Sequence, residues 1–313
     1  MKRGVMYAGM AGALWGMVLM VPELLPEFNP ILLSSVRYVM VGVISLLLAL
    51  PMARQLRQLT LSDGWMLLRL AVIGNLLYFI CLVAAIQRLG VAPASLIVGV
   101  LPLTITLCGR HDSGAVPLTR LIGPLVLILA GILCINLETF VFVPGDIGDK
   151  LMGLGFALAA LACWTWYAVQ NSRFLKQCAH FDSHQWSVLC GVMTGLASLF
   201  MVAALALWQP QQLQVEAPMS RWWLFWAASL GCAVLGSWLA MALWNAASKR
   251  LPLTLSGQLI VFETLFALLY AFLWRQSGPS LLEGAAIVLV VGGVLWSMRQ
   301  HEVPRALAKP VHS

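Results

Sequence analysis

Two short segments determine the architecture of this chain: Ala84-Ala85-x-x-Arg88-Leu89 recurs as Ala246-Ala247-x-x-Arg250-Leu251, 162 residues further on. The same offset pairs Gly131 with Gly293. Nearer the amino terminus the offset is 149 residues, and it pairs Gly4 with Gly153, Ala8 with Ala157, Ala11 with Ala160, and Trp15 with Trp164. The difference of 13 residues fits the long connection at 208–221. Because these individually weak identities are colinear, they predict an internal repeat.

The composition places this repeat in a membrane. Hydrophobic residues make up 61% of the 313 residues and charged residues only 10%, whereas an ordinary soluble chain is about 25% charged. At roughly 30 residues per crossing, the length allows about ten helices and leaves no room for a sizeable soluble domain. A receptor kinase, a soluble dehydrogenase and a nucleic-acid-binding module are therefore disfavoured.

Ten apolar segments are each long enough to cross a bilayer as a helix, which satisfies its own backbone hydrogen bonds in lipid. They run approximately over residues 4–21, 30–50, 65–87, 92–108, 117–136, 151–171, 184–207, 222–247, 252–274 and 281–298. We therefore predict an all-α polytopic membrane protein with ten transmembrane helices. The two five-helix repeats are expected at 1–142 and 143–300, and a disordered cytoplasmic tail at 301–313.

The distribution of basic residues predicts the orientation. With the amino terminus in the cytoplasm, thirteen Lys and Arg residues fall on the cytoplasmic side, and four fall outside: Arg88, Lys150, Arg221 and Arg275. Cytoplasmic loops of bacterial inner-membrane proteins collect Lys and Arg, so both termini are expected in the cytoplasm. The same rule accounts for the net charge of +7 without a nucleic-acid partner.

Each repeat has five spans, which is an odd number. The second copy must therefore enter the membrane from the side opposite to the first. Two inverted copies have nearly equivalent inward-open and outward-open arrangements. This is the architecture of carriers that work by alternating access around a site near the bilayer midplane.

Ten spans in this arrangement, with the AAxxRL motif at the third-to-fourth and eighth-to-ninth junctions, resemble the EamA-type branch of the drug/metabolite transporter superfamily. Other matching segments are Leu14-Trp15-Gly16, Arg37-Tyr38, Leu101-Pro102 and Phe262-Glu263. The resemblance covers residues 4–298. It implies a bacterial inner-membrane protein that exports or imports small metabolites by proton coupling, exchange or facilitated diffusion.

The chain departs from the family pattern at one position that concerns gating. The family often has proline after the glutamate of the ninth span, whereas Thr264 follows Glu263 here. The resemblance therefore implies a proline kink in the fourth span, at Pro102. It also implies that the ninth span, with Thr264 at the corresponding position, lacks such a kink. The two halves would then gate unequally.

Two charged residues inside predicted spans are the leading site candidates. Glu263 lies well inside the ninth span, where a charge costs at least about 2.5 kcal/mol, so it should face a cavity or a partner. It could exchange a proton, bind a cationic substrate group or serve as a structural carboxylate. Arg37, in the second span, could bind a substrate carboxylate or phosphate, extend to the outer interface or pair with Glu263.

Aromatic and amide side chains are the other candidates for a substrate site. Asn75 and Tyr78 are three residues apart and can face the same space, although an interhelical hydrogen bond is an equal alternative. The equivalent residues Trp15 and Trp164, joined by Tyr167, could line a cavity or serve only in packing. Weaker candidates are Trp238, Asn245 and Gln258.

Other motifs predict no further chemistry. His180 and His184 are spaced like a metal pair but lie in a polar loop, and the seven cysteines form no CxxC pair, so no metal site is expected. No nucleotide or cofactor motif is present, so ATP bound to this chain cannot drive transport. The small-residue stripe at Gly12 and Gly16 predicts close helix packing within a monomer or, alternatively, a weak homodimer.

We therefore predict a secondary active transporter, acting as an exporter or exchanger, and not an enzyme. It would move a small organic metabolite such as an amino acid, with protons as an alternative second cargo, across the inner membrane by alternating access. Two competing hypotheses are a channel-like facilitator and a membrane-embedded enzyme acting on a lipid-linked substrate.

Overall fold

The fold is known from a computed structural model, which describes residues 2–52, 58–110, 117–142, 146–177, 181–276 and 278–302. Within these residues, helix covers each of the ten apolar segments, and no strand occurs. Seven helices are long and apolar enough to cross a membrane, and two shorter apolar helices run over Leu118–Gly131 and Leu281–Ser297. The all-α polytopic membrane fold is confirmed, and the count of ten spans stays a prediction. Most of the predicted tail, from residue 303, lies outside the described residues.

The helices follow one another with short connections. Those of the first half are α1 (Lys2–Val18), α2 (Val21–Leu24), α3 (Pro30–Ala49), α4 (Leu61–Leu89), α5 (Val91–Val98), α6 (Leu101–Cys108) and α7 (Leu118–Phe142). Those of the second half are α8 (Ile147–Gln177), α9 (Ser183–Trp208), α10 (Met219–Arg250), α11 (Leu253–Leu259), α12 (Val261–Arg275) and α13 (Leu281–Glu302).

Local capping chemistry sets several helix boundaries. The Asn29 side chain accepts a hydrogen bond from the backbone of Leu32, and Pro30 occupies the first position of α3. Reciprocal capping boxes begin α4 at Thr60 and α9 at Asp182. Helix α4 ends at Gly90, whose φ of +86° favours glycine. These helix ends are therefore determined by the residues immediately around them.

Helices α4 and α10 each contain a wider, π-helical stretch, at Leu70–Leu77 and Cys232–Leu239. The two stretches are 162 residues apart, which is the offset of the repeated motif. A Cβ atom on Gly74 would lie 2.1 Å from the Tyr167 ring, and one on Gly236 would lie 2.1 Å from Val18. The glycines therefore let α8 and α1 approach the two stretches closely, in a geometry that is frequent at functional sites.

The fourth and ninth predicted spans are both interrupted. The break between α5 and α6 lies at Gly99 and Val100, two residues before Pro102, and the break between α11 and α12 lies at Ile260. The ninth span is therefore interrupted even though Thr264 stands where the family often has proline, and unequal gating of the two halves stays a prediction. The N–H of Glu263 donates to the carbonyl of Ile260 at 2.8 Å, a tighter turn that starts α12 without proline.

Helices from the first half of the chain pack against helices from the second half, and others pack within the interior between them. Helix α1 packs against α10 and α12, α8 packs against α4, α5 and α6, α3 packs against α9, and α7 packs against α13. Positions facing these partners are often glycine. Gly12 and Gly16 of α1 meet the backbone of α12 around Glu263, so the small-residue stripe is used for packing within the chain.

Candidate functional site

Two small chambers lie between the packed helices, and each has a volume of about 30 Å³. Both are lined by Arg37, Tyr38, Asn75 and Met241. The polar chamber adds Val41, Ser45, Ser187, Cys190, Gly191, Thr194, Ser237 and Trp238. The aromatic chamber adds Trp15, Val18, Leu19, Tyr78, Phe79, Leu82, Trp164 and Glu263. Because a water molecule needs roughly 10–15 Å³, each chamber of about 30 Å³ has room for about two waters in this conformation.

Arg37 lies between the two chambers and is buried. Its Nε donates to Ser237 Oγ at 2.7 Å, Nη2 donates to the carbonyl of Gly236 at 3.5 Å, and the guanidinium lies 4.0 Å from the centre of the Phe79 ring. Nη1 has no hydrogen-bond partner among the described residues. The π-helical stretch of α10 therefore positions this cation while one donor group stays available to a ligand.

Glu263 lies in the first turn of α12 and is only 5% exposed. It lines the aromatic chamber opposite Arg37, but the described residues supply it with no ion pair within 4.0 Å and no side-chain hydrogen bond. The helix dipole favours a negative charge in the first turn of a helix. Within the described residues, neither extension of Arg37 to the outer interface nor a direct Arg37–Glu263 pair is observed, so a guanidinium and a carboxyl group face one small space without a bond between them.

Two tryptophans line the aromatic chamber, and a third, Trp244, packs against both of them. Trp15 and Trp164 meet edge to face with ring centres 5.4 Å apart, and Trp244 lies 5.5 Å and 5.4 Å from them. Tyr78 lies 6.2 Å from Trp164. Tyr167 packs on Trp164 and donates its hydroxyl to Met241 Sδ at 3.0 Å, so it supports the wall rather than lining either chamber.

Hydrogen-bonded amides connect the polar chamber to neighbouring helices. The amide of Asn75 donates to Thr194 Oγ1 at 3.0 Å. Asn245 donates to Ser187 Oγ at 2.6 Å and accepts from Asn171 at 2.7 Å, and Asn171 in turn accepts from the Trp186 indole at 2.9 Å. This buried network joins α8, α9 and α10 and orders one side of the chamber.

The remaining candidates from the sequence lie in different places. Trp238 lines the polar chamber, and its indole N–H has no hydrogen-bond partner within the described part of the chain. Pro102 is buried in α6, and Thr264 Oγ1 donates to the carbonyl of Ser95 at 3.4 Å, so neither lines a chamber. The side chain of Gln258 lies outside the described residues.

Sequence reasoning missed Ser237, Thr194, Met241 and Trp244. Ser237 is 162 residues after Asn75, so applying the repeat offset to polar residues would have found it. Nothing in the sequence marks Thr194, because threonine in an apolar helix usually bonds to its own backbone, as Thr194 also does to Cys190.

The two ends of the helical bundle differ. At the Glu27 end, where α2 meets the start of α10, Arg221 donates from Nε and Nη2 to the Glu27 carboxylate at 2.5 and 2.9 Å. Arg221 also donates to the carbonyl of Leu24. These hydrogen bonds hold the pKa of Glu27 below its ordinary value. At the opposite, Asp182 end, α9 begins beside the end of α10.

No group of three or more His, Cys, Asp or Glu residues is placed to hold a metal ion in the part of the chain that the structure describes. His184 is the second residue of α9, and its backbone N–H bonds to the capping residue Asp182. His180, the other half of the possible metal pair, lies outside the described residues.

The long apolar helices define a polytopic helical membrane protein, and its interior contains two small polar-lined chambers. A family model described as the EamA-like transporter family matches residues 2–137 and 151–299. The chain therefore belongs to the EamA-like transporter family.

Individual relatives agree with this assignment. The inner membrane protein YtfF of Escherichia coli (strain K12) is 35% identical over 307 residues, which cover 96% of this chain and 96% of that protein. One solved crystal structure superposes with a TM-score of 0.71, covering 95% of this chain and 97% of its own at 19% identity. The second similarity concerns the fold alone.

Proposed function

We propose that this transporter moves a small zwitterionic metabolite, such as an amino acid, across the bacterial inner membrane by alternating access. The observation that carries the proposal is the placement of Arg37 and Glu263, two opposite charges that line one chamber without pairing. Burying two unpaired charges is costly, and a ligand that bears both a carboxylate and an ammonium group offsets that cost.

The unpartnered polar groups suggest how such a substrate binds. Arg37 Nη1, Trp238 Nε1 and Ser45 Oγ are buried, line the polar chamber and have no hydrogen-bond partner within the described residues. Buried polar groups are nearly always satisfied, by water or ligand if not by protein. In our proposal the substrate carboxylate faces Arg37 and Trp238, and its ammonium group faces Glu263 and the aromatic wall.

The size of the chambers supports a closed intermediate of the transport cycle. Small-molecule sites usually have volumes of about 300–1,000 Å³, whereas each chamber here measures about 30 Å³. The helices must therefore separate before an amino acid can enter. A rigid channel would not need this movement, which favours a carrier acting as an exporter or exchanger.

Two inverted repeats are part of the proposal. Several contacts occur in pairs that are related by the two sequence offsets, as for Gly4 with Leu251 and Gly153 with Leu89. The cation–π contacts of Arg88 with Phe156 and of Arg250 with Tyr7 form another pair. The family match to each half also supports this division. With both termini in the cytoplasm, the Glu27 end faces outward and the Asp182 end inward.

Counterflow in proteoliposomes tests the proposal. A thermal-shift screen of the purified protein against L-amino acids, polyamines, nucleosides and sugars would first identify a ligand, and counterflow would then measure its transport. We expect an amino acid to stabilise the protein and exchange, and a polyamine or a sugar to do neither. Stabilisation and counterflow by a sugar alone would contradict a zwitterionic substrate.

The variant Glu263→Gln tests the role of the carboxylate. Replacing the titratable carboxyl with an amide should flatten the dependence of counterflow on pH. Glu23→Gln, which changes an exposed carboxylate, is the matched control. Full activity with an unchanged pH profile in Glu263→Gln would make Glu263 purely structural.

A further inference from the structure

A third cavity, the corner crevice, lies at the Asp182 end, away from the two chambers. Its volume is about 540 Å³, and it is lined by Asp182, Ser183 and His184 at the start of α9 and by Ala242, Ala246, Lys249 and Arg250 at the end of α10. This volume is within the usual range for small-molecule sites. The central substrate site does not account for it, because the corner crevice shares no lining residue with either chamber.

The basic side chains of the corner crevice have no acidic partner. Neither Lys249 nor Arg250 makes an ion pair within 4.0 Å across the described ranges. Arg250 is held at the end of α10 because its Nη1 donates to the carbonyl of Ala246 at 2.8 Å and its guanidinium lies 5.4 Å from the Tyr7 ring centre. Two exposed cations therefore meet at one opening.

At the corresponding corner of the first half, the equivalent side chains have partners within the protein. With the offset of 162, Gln87 corresponds to Lys249 and Arg88 to Arg250. Gln87 Nε2 donates to the carbonyl of Phe28 at 2.8 Å, and Arg88 Nε lies 3.2 Å from Asp149 Oδ1. The unpaired positive charge at the corner crevice therefore results from the side chains at these positions in the second half. The backbone arrangement that the two corners share does not explain it.

One acidic group also lines the corner crevice, and part of it is free. Asp182 Oδ1 accepts the backbone N–H groups of His184 and Gln185 and so caps α9. Asp182 Oδ2 has no partner in the described structure, and the side chain is exposed. The corner crevice therefore presents two cations together with one carboxylate oxygen that can accept a hydrogen bond.

We propose that the corner crevice binds a phosphatidylethanolamine head group, with the phosphate on Lys249 and Arg250 and the primary ammonium on Asp182 Oδ2. Lys and Arg favour phosphate, and basic pockets between membrane helices bind lipid head groups. Ala246 and Ala242 lie about one and two turns before the end of α10 and leave a small-residue groove for the glycerol and the first methylenes. The position at the end of a membrane helix is where lipid phosphates lie.

Binding of soluble short-chain lipids to the purified full-length protein tests this proposal. Affinities would be measured by native mass spectrometry or by thermal shift for phosphatidylethanolamine, phosphatidylcholine and phosphatidylglycerol that carry identical chains. Phosphatidylethanolamine should bind about tenfold more tightly than phosphatidylcholine, whose quaternary ammonium cannot donate a hydrogen bond. Equal affinities for these two lipids would overturn the assignment of the ammonium to Asp182.

Three variants separate the parts of the site. Lys249→Gln, which copies Gln87 of the other half, should weaken binding of phosphatidylethanolamine about tenfold, while Arg120→Gln, an exposed cation at the same end, should not. Asp182→Asn should remove the preference over phosphatidylcholine without unfolding α9, because Asn caps helices as well as Asp. Unchanged binding in Lys249→Gln, or an unchanged preference in Asp182→Asn, would refute the site.

A competition experiment distinguishes a lipid from a soluble ligand. Inorganic phosphate and phosphoethanolamine carry the same polar groups without glycerol or acyl chains, and they should compete at least tenfold less well than the lipid. Equal competition would show a site for a soluble phosphate instead. Since every measurement is of binding, the result does not depend on whether the amino-acid transport proposed above is correct.

Discussion

At the scale of single residues, the position of Arg37 depends on a serine that the sequence does not make conspicuous. Ser237 Oγ accepts the Arg37 Nε hydrogen bond at 2.7 Å, and Phe79 covers the guanidinium. Both contacts fix the direction in which Nη1 points. The direction of the Arg37 guanidinium therefore depends on a residue 200 positions away in the chain.

Ser237→Ala is expected to lower both the stability and the apparent affinity. Loss of a hydrogen bond to a charged group costs about 1.5–3 kcal/mol, and we expect the free energy of unfolding to fall by about that amount. The KM for counterflow should rise about tenfold as Arg37 loses its orientation. Thermal unfolding and transport kinetics measure the two effects.

Ser248→Ala is the matched control for this prediction. Ser248 also lies on α10 and is buried, but its hydroxyl has no hydrogen-bond partner among the described residues. Its removal should leave stability and KM nearly unchanged. Equal behaviour of the two variants would show that Ser237 does not position Arg37.

At the scale of helices, α3 and α9 cross with their backbones in direct contact at Gly42 and Gly195. A Cβ atom on Gly195 would lie 2.3 Å from Gly42 Cα, and one on Gly42 would lie 2.5 Å from Gly195 Cα. Ser198 of α9 also donates to the carbonyl of Ser35 in α3 at 2.8 Å. Because backbone meets backbone at this crossing, no side chain can move aside to make room.

Gly195→Ala should therefore be destabilising. Overpacking in a well-packed interior costs about 1–3 kcal/mol, and separation of α3 from α9 would also displace the wall of the polar chamber. Thermal unfolding of the purified variant measures the loss. The contrasting variant is Gly155→Ala in α8, where an added Cβ meets no atom within 4 Å, and which should be neutral or slightly stabilising. A Gly195→Ala protein as stable as Gly155→Ala would contradict this description of the crossing.

At the scale of the whole molecule, the two ends of the bundle are secured differently. Arg221 joins α10 to Glu27 and Leu24, and Gln87 joins α4 to Phe28, so the Glu27 end is tied together by side chains. Phe28 also stacks on Phe225, with ring centres 4.4 Å apart. In the alternating-access cycle that we propose, these contacts must break for this end to open.

Because of the Glu27–Arg221 ion pair, we expect the thermal stability of the protein to depend on pH. The pKa of Glu27 is lowered chiefly by the hydrogen bonds from Arg221. The pair therefore stabilises the folded protein above the unfolded-state pKa of about 4.3. This stabilisation is lost as the pH falls through the lower pKa of the folded state. Glu27→Gln should lower the Tm at pH 7 by about 1–2 °C, since exposed pairs contribute little. This difference from the parent protein should shrink in acid.

Thermal unfolding at several values between pH 8 and pH 3.5 measures this effect. The neighbouring Glu23 is exposed, and Glu23→Gln should leave the Tm unchanged across the same range. A Tm difference between Glu27→Gln and the parent that grows as the pH falls would contradict the role assigned to the pair.

Much of this architecture could be predicted from the sequence because it depends on neighbouring residues and on the solvent. Apolar runs predicted where helices lie, and Asp182 illustrates how capping residues set their ends. The charged candidates Glu263 and Arg37 were found because a charge in an apolar span is expensive whatever the tertiary fold. Both line the aromatic chamber, as do Trp15, Asn75, Tyr78 and Trp164.

Other features depend on contacts between distant segments, and only the tertiary structure decided them. In the sequence, Ser237 and Thr194 resemble many other hydroxyl residues. Their contacts are seen only in the fold, where α10 places Ser237 against Arg37 and α9 places Thr194 against Asn75. The break at Ile260 occurs without the proline that would have marked it. The sequence by itself determined the solvent, the helices and the candidate charges, because transfer and capping energies are local. The tertiary structure decided which polar groups meet and which stay unpaired, because those energies depend on which helices pack together.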